Sequence, residues 1–182
     1  MHHDKHRRGL LAWGGLMALT GMGSARAEPD QPAPPQSLAP DTPLGQTLDG
    51  KPLRLADFDG RPVIVFFWAS WCPYCRNELP VLERLQSKTG ERLPIIAINI
   101  EEKAVFKRVQ RALAESTRIT HTYDPNEAAA KAFAKPASLP YTLLLRGDGS
   151  VAARQSGWDE NSVNFIVKHV NAVLAEAKAA EG

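Results

Sequence analysis

The chain has 182 residues and only two cysteines, Cys72 and Cys75, and that scarcity excludes two classes of protein. A structural zinc site needs about four ligands, and a cross-linked secreted scaffold needs several cysteine pairs. An excess of charge is also missing. The net +2 belongs to residues 1–27, and beyond them 18 Lys/Arg face 19 Asp/Glu, so nothing argues for nucleic acid or an acidic surface as partner. No repeat is visible, and no apolar run is convincing as a membrane span: Leu10 to Met22 is short and diluted with glycine. His121 and His169 are read as surface or rim residues, so no metal site and no bound cofactor are expected.

Lys5, Arg7 and Arg8, the apolar centre and the Ala25-Arg26-Ala27 ending together read as a secretory signal peptide over residues 1–27. An uncleaved membrane anchor is the alternative. Residues 28–43 carry six prolines and are expected to form an extended linker before a single domain over 44–182. Export would place the chain where disulfides persist. A single available pair, Cys72–Cys75, then favours a working redox couple over a stapled scaffold.

The stretch from Val63 to Pro80 organises the rest. Val63 to Trp68 is an unbroken apolar run of β-branched and aromatic residues, expected as a strand buried on both faces. Cys72-Pro73-Tyr74-Cys75 follows, and Cys75, Leu79, Leu82 and Leu85 recur at helical spacing, so the cysteines fall where a strand turns into a helix, with a bend expected at Pro80. Unpartnered amides and the positive end of the dipole favour a thiolate at a helix start. Such settings bring a cysteine from about 8.5 to roughly 3.5–7.5, which makes Cys72 the expected nucleophile. Cys75, one turn further in and better shielded, is expected to resolve the mixed disulfide. A purely structural disulfide closes too small a loop to restrict the unfolded chain much.

Around this unit, Thr47 to Leu55 alternates about Asp49-Gly50 as a hairpin, and Ile95 to Ile100 reads as a second buried strand. Glu102 to Glu115 places Val105, Val109, Ala112 and Leu113 on one helical face, and Ile119 to Tyr123 is a short strand. Asp124-Pro125-Asn126-Glu127 reads as a cap, first-turn proline and capping-box glutamate opening a helix to about Ala134. Tyr141–Arg146 and Val151–Ser156 form a second hairpin. A last helix, capped by Asp159, carries Val163, Ile166, Val167, Val170, Val173, Leu174 and Ala177 as one stripe. The order implies an α/β fold with a mixed sheet.

Three further positions have two readings each. Glu78, three residues past Cys75, is either a partly buried carboxyl exchanging a proton with Cys75 or an exposed acid near Arg76 or Lys88. Trp71 offers either a flat apolar contact for incoming polypeptide or simple core packing. Pro140, after Leu139, is either cis or an ordinary trans loop residue.

Trp68-Ala69-Ser70-Trp71-Cys72-Pro73-Tyr74-Cys75-Arg76-Asn77-Glu78-Leu79-Pro80 resembles the active-site segment of the thioredoxin superfamily, most closely its periplasmic TlpA/ResA/CcmG-type branch. The resemblance spans about residues 44–175. It implies a thioredoxin fold, a central mixed β-sheet flanked by helices, with an N-terminal β-hairpin and a helix-strand insertion after the second core strand. It further implies a cis-proline at Pro140 beside the cysteines, a proton role for Glu78, and Trp71, Pro73, Tyr74, Leu139 and Pro140 as substrate-binding residues. Two positions depart from the pattern: Leu139 stands where Thr or Val is commoner, and Phe66 stands where thioredoxin buries an Asp. The implied activity is thiol-disulfide exchange in the periplasm. Its substrates would be protein dithiols and disulfides such as apocytochrome c or copper-site cysteines, its electron donor a DsbD-like membrane protein, and its state a monomer. A DsbA-like oxidase, or a chaperone holding copper or a client without turnover, is the alternative.

Overall fold

The computed structural model describes residues 36–113, 117–134 and 136–180. The signal-peptide reading and residues 28–35 of the linker reading lie outside them. Residues 36–43 are not a free linker: Leu38 is buried in the core, Gln36 accepts the Val151 amide at 2.9 Å, and Pro43 already opens a strand. The proline-rich composition concealed the apolar anchor at Leu38.

Among the described residues seven strands form one mixed sheet in the order β2-β1-β5-β4-β3-β6-β7. β1 (Pro43–Gln46) and β2 (Pro52–Arg54) make the expected hairpin, turned by Gly50 in the left-handed region, and β1 attaches antiparallel to β5 (Thr120–Tyr123). Gly45 is needed at that junction, because a Cβ there would lie 2.6 Å from the Tyr123 carbonyl oxygen.

β3 (Val63–Trp68) is buried at every position. It runs parallel to β4 (Ile95–Asn99), with Val65 opposite Ile96, and antiparallel to β6 (Tyr141–Leu145), with Val65 opposite Leu143. β4 is parallel to β5, and β7 (Val151–Ser156) closes the far edge against β6. The pleat sends alternate residues to opposite faces. Val63, Val65 and Phe67 join Leu44, Phe58 and Phe133, while Ile64, Phe66 and Trp68 join Leu82, Ile166 and Val170.

Among the described residues four α-helices cover the faces. α1 (Pro73–Thr89), with Pro73 at its first turn where a missing N–H costs nothing, continues through Pro80 as one helix. Its buried line is Cys75, Glu78, Leu82 and Gln86, with Leu79 and Leu85 at the margin. α2 (Lys103–Leu113) is anchored by a residue outside the expected stripe: Phe106 is fully buried, its ring 5.5 Å from Tyr123, while Ala112 is exposed.

The expected helix from Asp124 to Ala134 is replaced by a 3-10 turn (Pro125–Glu127) and a short α3 (Ala128–Ala132). No capping box forms, because the Asp124 amide is given to the Asn99 carbonyl and Asn126 and Glu127 adopt positive φ. The Asp124 carboxylate instead accepts from the Ala129 and Ala130 amides at 2.8 Å each. α4 (Ser162–Ala180) buries Ile166, Val170 and Val173 but leaves Val163 and Val167 exposed, so its apolar stripe is narrower than expected. Asp159 lies before its start and accepts from the Asn161 amide at 2.8 Å. α2 and β5 are the expected insertion between β4 and α3.

Candidate active site

β3 ends at Trp68, whose carbonyl accepts the Ile100 amide at 3.1 Å, and the chain then leaves the sheet. Four residues later Cys72 caps α1 in an extended conformation, and the Cys75 amide donates to the Cys72 sulfur at 3.2 Å. A thiolate at that position therefore has a backbone donor already aimed at it. Both cysteines are free thiols and both are buried, Cys72 at 3 % and Cys75 at 1 % exposure. Burial, together with the adjacent Cys72 sulfur and the Glu78 charge, pushes the Cys75 thiol far above its ordinary range. The two sulfurs are thus chemically unequal: one sits at a helix cap, and the other is held as a thiol.

Glu78 is not the exposed acid of the alternative reading. It is 1 % exposed, and burial pushes its carboxyl up to about 7, although the Thr142 hydroxyl, donating to Oε1 at 2.5 Å, pulls the other way. Pairing Thr142 with Phe66 across β6 and β3 puts that hydroxyl on the α1 face. Thr142 gave no local signal in the sequence, because its role depends on strand register.

Trp71 and Tyr74 are 65 % and 53 % exposed, which rules out core packing for Trp71. Pro73 is exposed beside them. The Leu139–Pro140 bond is cis, Pro140 is buried, and its carbonyl accepts the Gly157 amide at 2.8 Å. Leu139 packs against the same cluster as Cys72 and Cys75. Leu139 therefore joins the thiols, while Trp71 and Tyr74 face solvent at the start of α1.

The surface reading of His121 is overturned. His121 is buried on β5, its ring edge-on to Trp68 at 5.8 Å, and its Nε2 is 3.0 Å from the Thr117 hydroxyl, which in turn donates to Glu83. Burial lowers His121 to about 4, with the Glu83 charge partly opposing. His169 is half-buried, its Nδ1 2.8 Å from the Phe165 carbonyl. Among the described residues no group of three or more His, Cys, Asp or Glu is placed to hold a metal ion. Nor, among them, is any helix long and apolar enough to cross a membrane.

Sheet order, helix placement and a Cys-x-x-Cys at the cap of the first helix define a thioredoxin-fold protein with a dithiol site. Residues 34–174 match the Redoxin family, so the chain belongs to that family, as a TlpA/ResA/CcmG-like member of the thioredoxin superfamily. It is similar to the thioredoxin-like protein YneN of Bacillus subtilis, 32 % identical over 62 % of this chain and 66 % of that protein. It is also similar to the thiol-disulfide oxidoreductase ResA of Bacillus cereus, 30 % identical over 60 % of this chain and 63 % of that one. The matches therefore span just under two thirds of those relatives. A thiol:disulfide interchange protein of the thioredoxin family from Chlorobium tepidum has the same fold, with a TM-score of 0.62 and 23 % identity over 80 % of this chain and 99 % of that chain.

Proposed function

We propose that the chain is an exported thiol-disulfide oxidoreductase that reduces disulfides of protein partners through Cys72 and Cys75. The observation that carries this reading is the Cys75 amide donated to the Cys72 sulfur at a helix cap, with a buried carboxyl one turn beyond. The Cys72 thiolate attacks one sulfur of the partner's disulfide. That S–S bond breaks, the other partner sulfur leaves as a thiolate, and a mixed disulfide forms. Cys75 then gives its proton to Glu78, whose carboxyl sits near neutrality, and attacks the Cys72 sulfur. The Cys72–Cys75 disulfide forms, and the partner departs with both electrons as a dithiol. A donor dithiol reverses the sequence to restore the enzyme.

Exposed Trp71, Pro73 and Tyr74, with half-buried Leu139 ahead of the buried cis-Pro140, form the surface against which an extended client lies. The leader-like residues 1–27 support a periplasmic location. The family resemblance supports cytochrome c or copper-site cysteines as clients, a DsbD-like membrane donor and a monomeric enzyme without bound cofactor. Catalytic reduction of insulin disulfides, reduced to background by Cys72→Ser, is the expected outcome. Stoichiometric client or copper retention without turnover would overturn it. A glutathione titration placing the couple near the about −120 mV of a strong oxidant would reverse the assigned direction.

A further inference from the structure

Between the end of β3 and Cys72 the chain crosses Ala69, Ser70 and Trp71 outside the sheet, where no ladder holds it. Both oxygens of Glu101 reach back to this loop. The Ser70 amide donates to Oε2 at 2.6 Å, and the Ser70 hydroxyl donates to Oε1 at 2.9 Å. The carboxylate is itself braced. The fully buried Asn99 donates from Nδ2 to Oε2 at 3.1 Å and accepts the Glu101 amide on Oδ1 at 2.9 Å. Asn99 is fixed in turn as the last residue of β4, its carbonyl taking the Asp124 amide at 3.1 Å. The Cys72 amide donates to Ala69 at 3.1 Å, so a loop pinned at Ser70 also sets where the helix cap begins.

We infer that Glu101 is a positioning residue for the dithiol, clasping Ser70 so that the Cys72 sulfur is held at the helix cap. This deepens the proposed function and rests on it for its biological meaning. Bonds to a charged acceptor are among the stronger hydrogen bonds, and here two of them converge on Ser70, between the buried Ala69 and the exposed Trp71. A Glu101 negative charge by itself disfavours a nearby thiolate, so removing it without moving the loop would speed Cys72. Loss of the clasp works in the opposite direction. The sign of the change therefore separates positioning from plain electrostatics.

The test is the second-order rate of iodoacetamide alkylation at Cys72 in the reduced full chain at pH 7, read by mass spectrometry beside a thermal melt. Glu101→Ala is expected to react about tenfold more slowly, and Ser70→Ala, which keeps the amide bond, about two- to threefold more slowly. Glu101→Gln keeps an acceptor for the Ser70 amide and is expected within about threefold of the native rate. Native or faster rates in both alanine variants, or a Gln variant as slow as the Ala variant, would overturn the positioning role. Should Glu101→Ala fail to fold, Ser70→Ala decides alone, a native rate refuting the clasp. Alkylation needs no turnover, so absence of insulin reduction in the native chain would defeat the proposed function without touching this result.

Discussion

The two ends of β3 treat ionisable side chains in opposite ways. At the far end, away from the cysteines, a cleft of about 930 Å³ is lined by Arg61, Glu91, Arg146 and Glu176. Two ion pairs in it are wet: Arg61 meets Glu91 at 3.1 Å and Arg146 meets Glu176 at 2.7 Å, with each side chain at least a third exposed. At the cysteine end Glu78 and Cys75 are 1 % exposed, and His121 is 6 % exposed against Trp68. Among the described residues no cation offsets the burial of Glu78 or Cys75, the Glu83 carboxylate offsets that of His121 only in part, and the proton affinities of all three move. That cleft is therefore the wrong guide to the chemistry. Exposed ion pairs describe solvation, whereas buried, unneutralised groups describe a site.

Glu78→Gln should break the comparison most visibly. It removes the proposed proton acceptor for Cys75, and stopped-flow release of a mixed-disulfide partner should slow by about 10²-fold, the scale of general-base catalysis. Its stability effect has a definite sign. The folded carboxyl sits at about 7 against an ordinary 4.5, so the folded state binds the proton more tightly. Glu78 therefore withdraws stability as pH rises from about 4.5 through 7. Glu78→Gln should lose that slope in urea unfolding and gain stability relative to the native chain at pH 8.

His121 has the opposite slope. Its folded value of about 4 lies below its ordinary 6.5, so the unfolded state binds the extra proton between those limits. The contribution is complete above pH 6.5 and is lost as pH falls to about 4, on the order of 3 kcal/mol. Since the two groups cancel in part, the slope is best read in Glu78→Gln, where the urea midpoint should fall on acidification. His121→Gln in that background should flatten it. Arg146→Ala at the far end should be the smallest change, no more than about 1 kcal/mol in urea unfolding and without effect on insulin reduction.

Much of this arrangement was legible from local pattern. Val63 to Trp68, the Cys-x-x-Cys at a helix start and both hairpins rest on signals within about ten residues, and these placed the thiols correctly. What escaped depends on distant parts of the chain. Ser70 and Glu101 meet across 31 residues and Thr142 and Glu78 across 64, so neither pair has a spacing to recognise. His121 looked like a surface residue because alternation in a four-residue strand does not say that α1 covers it. Phe106 displaced the aliphatic stripe of α2 because Tyr123 offers it a ring to pack on. Asp124 was recognised as a cap, but its backbone amide was already taken by Asn99.

The central claim is the inequality of two sulfurs one helical turn apart. Reduced native chain treated with limiting iodoacetamide at pH 7 and mapped by peptide mass spectrometry should carry the label on Cys72, with Cys75 essentially unmodified. Equal labelling of both, or preferential labelling of Cys75, would contradict the account.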